Sequence, residues 1–157
     1  MHHLKQLWTR RLHQVPVSLI IVVLAVAIIG FADAGYLSIE HFKDVIPPCS
    51  ITGGCEKVLT SQFAVILGIP VSLLGAAYYF SICCGLFAFL ESRNHEVLRV
   101  TLLLTILGFL ASLWFVFLQA FVIHSYCAYC LGSAATSTVL FILAAVILGR
   151  YKEPASI

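Results

Sequence analysis

Four cysteines in two close pairs are the residues of this chain best placed to do chemistry. Cys127-Ala-Tyr-Cys130 leads directly into a long apolar run, and Cys49 and Cys55 bracket Ser-Ile-Thr-Gly-Gly in the one long polar stretch. A thiolate is the species that attacks a disulfide, so such a site has to lower the pKa of a thiol. The start of a helix does this with its unpaired N–H groups and the positive end of its dipole. A spacing of three puts both sulfurs on one helical face, close enough to bridge. Gly53 and Gly54 leave the segment between the loop cysteines flexible. Two dithiols, one at a helix start and one on such a loop, form a route for passing electron pairs.

Plainer readings exist for each pair. Cys127 and Cys130 could be two small apolar residues at a helix end. Cys49 and Cys55 could form a structural bridge, although closing so short a loop stabilises by only about 2 kcal/mol. Four cysteines allow three pairings, and the sequence leaves the choice open. A zinc site would hold four ligands still, which a glycine-containing loop does not do, so no metal is expected. Cys83 and Cys84 lie within an apolar run. Adjacent residues on a helix point to different faces, and both are expected to pack as small buried hydrophobes.

The elements that position these thiols are apolar helices. The chain of 157 residues is 61% hydrophobic and 10% charged, with a mean hydropathy of +1.04. That composition defines one integral membrane domain over residues 1–157, all-α in class. No basic cluster with interleaved aromatics points to nucleic acid, and no glycine-rich phosphate loop is present. Four spans are expected, roughly over 15–32, 70–90, 100–123 and 127–149. The first is 18 residues without a charge; a signal peptide would have a shorter core and a better cleavage site than Asp33-Ala34-Gly35. Pro70 suits the start of the second span, and the 20 residues from Val71 to Leu90 reach about 30 Å. Residues 35–61 form the redox loop, with 36–42 a possible continuation of the first helix. Pro47-Pro48 stops any helix there. Residues 61–69 read as a half-inserted or surface-lying helix that feeds the second span.

Orientation follows from the basic residues. Lys5, Arg10, Arg11, Arg93, Arg99, Arg150 and Lys152 fall on the side of the termini and the 91–99 turn, and only Lys43 and Lys57 on the other. Seven of the nine on one side place both termini in the cytoplasm of a cell inner or plasma membrane and the cysteine loop outside it. Outside the cytosol disulfides persist.

Asp33, Ser61, Gln119, His124 and Tyr126 sit near the outward helix ends. Each could be an interfacial anchor, and Tyr126 and Tyr129 suit an aromatic belt. A quinone reduced by the thiols would need hydrogen-bond donors and two protons. Ser61, His124 and Tyr126 are the candidates to contact it, together with Cys130. Trp114 and the Phe-rich third span read as packing or lipid-facing surface.

With these residues in place, the chain resembles the vitamin K epoxide reductase family, and within it the bacterial members that form disulfide bonds. The similarity rests on Asp33-Ala-Gly-Tyr36, Cys49-x5-Cys55, Cys55-Glu-Lys-Val-Leu-Thr-Ser61, Gly68-Ile-Pro70 and Cys127-x-x-Cys130, which together extend over nearly the whole chain. The resemblance implies a four-helix bundle around a quinone of the menaquinone, ubiquinone or vitamin K type, capped by the loop and its half-helix. It implies that Cys130 lies beside the quinone and that Cys127 faces the loop. Cys55 would exchange with Cys127, and Cys49 would receive electrons from a thioredoxin-like protein. Ser61 matches the family serine near these cysteines. Two positions depart from the vertebrate pattern: Ala134 stands in place of a tyrosine and Val71 in place of an asparagine. Both favour plain quinone reduction over epoxide reduction. Many bacterial relatives carry a fused thioredoxin-like domain, and the expectation here is a separate thioredoxin-like thiol oxidase as partner.

Three rival functions use the same residues. The thiols could reduce vitamin K epoxide. The chain could carry electrons outward from a cytosolic thioredoxin, which would need Cys83 and Cys84 to be reachable from inside. It could also be a membrane scaffold whose disulfides are only structural.

Overall fold

The computed structural model describes residues 15–49 and 53–150. Four helices are long and apolar enough to cross a membrane. α1 is Val17–Phe42, a five-residue helix α2 is Cys55–Leu59, and α3 is Val71–Ser92. α4 is His95–Phe117, which continues as one wide π-helical turn, Leu118–Ile123, and α5 is Ala128–Arg150. α1 packs on α3 and α5, and α4 packs on the same two. The result is a four-helix bundle of a multi-pass membrane protein.

A narrow seam on each helix makes the bundle. The buried residues of α1 include Ile20, Val23, Ala27, Gly30, Ala34 and Leu37, spaced three and four apart in alternation. Tyr79, Ile82, Leu86 and Phe89 repeat the pattern on α3, and Ser137, Leu140, Ala144 and Ile147 on α5. This is the spacing of helices that cross at a shallow angle. The other faces are apolar too and exposed in the isolated chain, as lipid contact requires. Gly30 has a packing reason: a Cβ there would run into the ring of Tyr79. The seam's apolar cluster runs along the bundle toward the 93–94 connection.

Several boundaries depart from the sequence expectation. α1 does not end at Asp33 but runs on to Phe42, because Asp33 faces an interior cavity and need not leave the membrane. α4 begins at His95, five residues early, because Asn94 caps it: its Oδ1 accepts the Glu96 N–H at 3.0 Å. Residues 61–69 are not a helix. They form turns and a small antiparallel hairpin, Val65–Ile66 (β1) with Ile69–Pro70 (β2), in which Val65 pairs with Pro70. Leu67 and Gly68 at its tip have φ of 51° and 82°. A two-residue turn with both centres at positive φ is the hairpin connection that matches strand twist, and it breaks a helical ladder. The short helix of the loop is α2.

Candidate active site at the cysteine end of the bundle

The start of α5 is built around Cys127. Cys127 immediately precedes the helix, and its carbonyl accepts the first helical bond, from Leu131 N–H at 3.0 Å. Its Sγ accepts the Cys130 N–H at 3.3 Å, so the sulfur takes the position of a capping oxygen. The N–H of Cys127 donates to Gln119 Oε1 at 2.9 Å. Gln119 lies in the π-helical turn of α4 and is only 2% exposed. The wide turn, followed by His124 at φ 52°, brings the end of α4 back against the start of α5. Cys127 is buried, and its thiol is pulled down to about 7. The Cys130 side chain, which donates to the thiolate, is the main cause. Burial opposes it, the N–H groups of Cys130 and Tyr129 add to it, and the negative charge of Asp33 opposes it.

The loop forms a cap over this thiol. Cys49 and Cys55 are joined by a disulfide with their Cα atoms 5.8 Å apart, while Cys127 and Cys130 are free. Cys55 and Cys127 are both fully buried and pack in one cluster with Val58 and Ile123, with Cys49 and Cys130 against its edge. The loop comes this close because residue 54 is glycine. A Cβ on Gly54 would lie 2.6 Å from the Tyr126 carbonyl oxygen and 2.9 Å from its nitrogen. Tyr129 fastens the loop from the other side, its hydroxyl donating to the Pro48 carbonyl at 3.2 Å and its ring packing on Tyr36.

Beneath the cap lies a cavity of about 930 Å³ between the helices. Its walls are mainly aliphatic and aromatic, from Leu37, Val58, Leu74, Leu107, Phe115 and Ile123. Its polar lining includes Cys130, Ser61, Gln119, Asp33 and the hydroxyls of Tyr78 and Ser137, with His41 and Asp44 near the end of α1. The Ser61 hydroxyl donates to the Val58 carbonyl at 2.7 Å. Tyr79 is fixed by bonds to Ser133 and to Thr136, the latter at 2.8 Å. The Tyr78 and Ser137 hydroxyls approach each other without completing a hydrogen bond, and Asp33 Oδ2 has no partner. An apolar chamber of this size with a few unsatisfied polar groups fits a flat, lipophilic molecule carrying two carbonyls, which is the chemistry of a quinone.

The four outward cysteines of the sequence reading therefore meet at one end of the bundle, two in the cap and two below it. Of the proposed quinone contacts, Cys130 and Ser61 line the cavity. His124 and Tyr126 do not: His124 is exposed in a left-handed conformation, and Tyr126 is 47% exposed beside Gly54. Their sequence position near the cysteines placed them at the right end of the bundle but on its outside. Cys83 is half-buried against the core, as expected, whereas Cys84 is exposed on the lipid-facing side and not buried. Gln119 was legible only as a polar residue near a helix end. Its bond to Cys127 depends on the π-helical turn, for which the sequence carries no signal.

Fold and site together define a membrane helical bundle in which a capped dithiol lies between a second cysteine pair and an apolar chamber. Residues 21–145 match the vitamin K epoxide reductase family, and the chain belongs to that family of oxidoreductases. No curated protein matches the chain.

Proposed function

We propose that this chain is a quinone-dependent thiol–disulfide oxidoreductase that reoxidises an extracytoplasmic thioredoxin-like dithiol. The observation that carries this reading is the burial of Cys127, a thiol tuned to about 7, in one cluster with Cys55. Cys130, one turn further in, opens on the cavity.

The partner's dithiol reduces the Cys49–Cys55 disulfide by attack at Cys49, the less buried of the two. The freed Cys55 thiolate attacks Cys127 of a Cys127–Cys130 disulfide, and Cys130 leaves as the thiolate. Cys49 then attacks Cys55 and releases Cys127. One electron pair has moved from loop to bundle, leaving the oxidised loop and reduced Cys127 and Cys130 seen in the structure. Cys130 and Ser61 would hold the quinone, which when bound supplies a two-electron, two-proton acceptor. The cap keeps Cys127 away from small thiols in the surrounding water. On the charge asymmetry of the sequence, both termini face the cytoplasm of the cell inner or plasma membrane and the cap faces outward.

Trapping the exchange tests the reading. In Cys49→Ala/Cys130→Ala protein oxidised in its membrane, both resolving thiols are gone, so a Cys55–Cys127 disulfide accumulates and is seen by nonreducing mass spectrometry. Absence of that species, with a Cys55–Cys130 bridge in Cys127→Ala protein instead, reverses the proposed order of electron flow.

A further inference from the structure

Asp33 is a carboxyl well inside the bundle. α1 continues for nine residues beyond it to Phe42, about 14 Å at 1.5 Å per residue, so it is not an anchor at a helix end. It lines the cavity with Cys130, and its Oδ2 is sealed from water with no hydrogen-bond partner. Among the described residues no Lys or Arg lines that cavity, so no cation compensates the carboxyl. A polar group kept at this depth without a structural partner is costly and points to function. The titratable groups that share the cavity are His41 and Asp44 near the end of α1, Tyr78 and Tyr79 on α3, and Cys130 on α5; α4 adds only the neutral Ser112 and Gln119. The charge of Asp33 also opposes formation of the Cys127 thiolate, so the two groups feel each other.

Resting on the quinone reading above, we propose that Asp33 is the proton-transfer residue of the cavity, moving a proton from the Cys130 thiol to a quinone oxygen. The pair starts as a Cys127 thiolate and a Cys130 thiol. As the Cys127–Cys130 bond closes and two electrons leave the sulfurs, the Asp33 carboxylate takes the proton that Cys130 loses. The carboxylic acid so formed then gives that proton to the acceptor oxygen. One further proton from solvent completes the quinol. Asp33, Leu37 and His41 lie four residues apart along one face of α1, and His41 is exposed, which gives that proton an entry. The dithiol loses two electrons, the quinone gains two electrons and two protons, and Asp33 returns to its starting form.

The test uses full-length protein in nanodiscs with a short-chain ubiquinone and dithiothreitol as reductant. Asp33→Asn is expected to lower kcat by about 100-fold with KM within about twofold, and Asp33→Glu to restore most of the loss. In the absence of quinone, ultraviolet titration of the Cys127 thiolate reads the same residue independently. Its midpoint falls below about 7 in Asp33→Asn, because an opposing charge has gone. Wild-type kcat in the Asn variant, or a raised KM with unchanged kcat, overturns the proposal. Should Asp33→Asn fail to accumulate, Asp33→Glu replaces it, and a pH–rate profile identical to wild type is the overturning result. A wild-type protein that does not reduce the quinone at all refutes the oxidoreductase reading itself, and the role of Asp33 with it.

Discussion

Replacing Gln119 by leucine isolates the tertiary contact that sets up the thiol. The side chain is buried, and its Oε1 is the acceptor for the Cys127 N–H at 2.9 Å. Leucine keeps much of the volume but leaves a buried N–H with no acceptor, which costs about 1–3 kcal/mol. Part of that loss reaches the sulfur. The Cys127 backbone is also held by the Leu131 N–H at 3.0 Å, and its sulfur by the Cys130 N–H at 3.3 Å, so the cap loosens without disappearing. Since 1.36 kcal/mol corresponds to one pKa unit, a partial transfer raises the thiolate midpoint from about 7 by roughly half to one unit. The assay is an ultraviolet titration of the thiolate in a Cys49→Ala/Cys55→Ala background, beside unfolding in sodium dodecyl sulfate. Gln119→Glu is the companion variant: it keeps an acceptor oxygen for the Cys127 N–H, but its buried negative charge costs stability and raises the midpoint further. A Gln119→Leu protein with wild-type stability and a midpoint still near 7 would refute the assignment of Gln119 as the residue that holds the Cys127 cap.

Gly54→Ala drives a methyl group into the Tyr126 backbone, so the cap must lift; the expected result is faster alkylation of Cys127 by a membrane-impermeant maleimide and slower internal exchange, and unchanged labelling would argue against close cap contact. In the reverse direction, attack of reduced Cys127 on the Cys49–Cys55 disulfide should rise with pH through about 7 and then level off, because the tuned thiol becomes thiolate there; a rise that continues to the ordinary thiol range above about 8.5 contradicts the tuning. Cys83→Ala with Cys84→Ala should keep activity and lose on the order of 1 kcal/mol, nearly all from the half-buried Cys83; loss of turnover with the fold intact would reveal a third redox pair. Gly30→Ala forces the Tyr79 ring off α1 and is expected to destabilise by about 1–3 kcal/mol, read as earlier unfolding in detergent, with no shift counting against tight packing of α1 on α3.

Much of this protein is determined by the chain alone. Long uncharged runs without water-compatible faces leave a backbone no structure but helices spanning a bilayer, and the run lengths set their number at four. A cysteine pair at a helix start and another between proline and glycine mark thiol chemistry because helix termini and turns follow local rules. The seam on α1, where Ile20, Val23, Ala27, Gly30, Ala34 and Leu37 alternate by three and four, is readable only in part, since lipid-facing residues are as apolar as those inside. Helix ends were the weakest point: Asp33 resembled a boundary, yet α1 runs past it because the cavity that receives its carboxyl is made by three other helices. Residues 61–69 hold an apolar stretch that either a helix or a hairpin could use, and the positive φ of Leu67 and Gly68 decided for the hairpin. Tertiary structure alone separated Ser61, which faces the chamber, from His124 and Tyr126, which do not. It alone brought Gln119 across from a π-helical turn to the Cys127 N–H. The physical reason is common to these cases: periodicity and capping act over a few residues, whereas a cavity and the hydrogen bonds around it are shared among segments far apart in the chain.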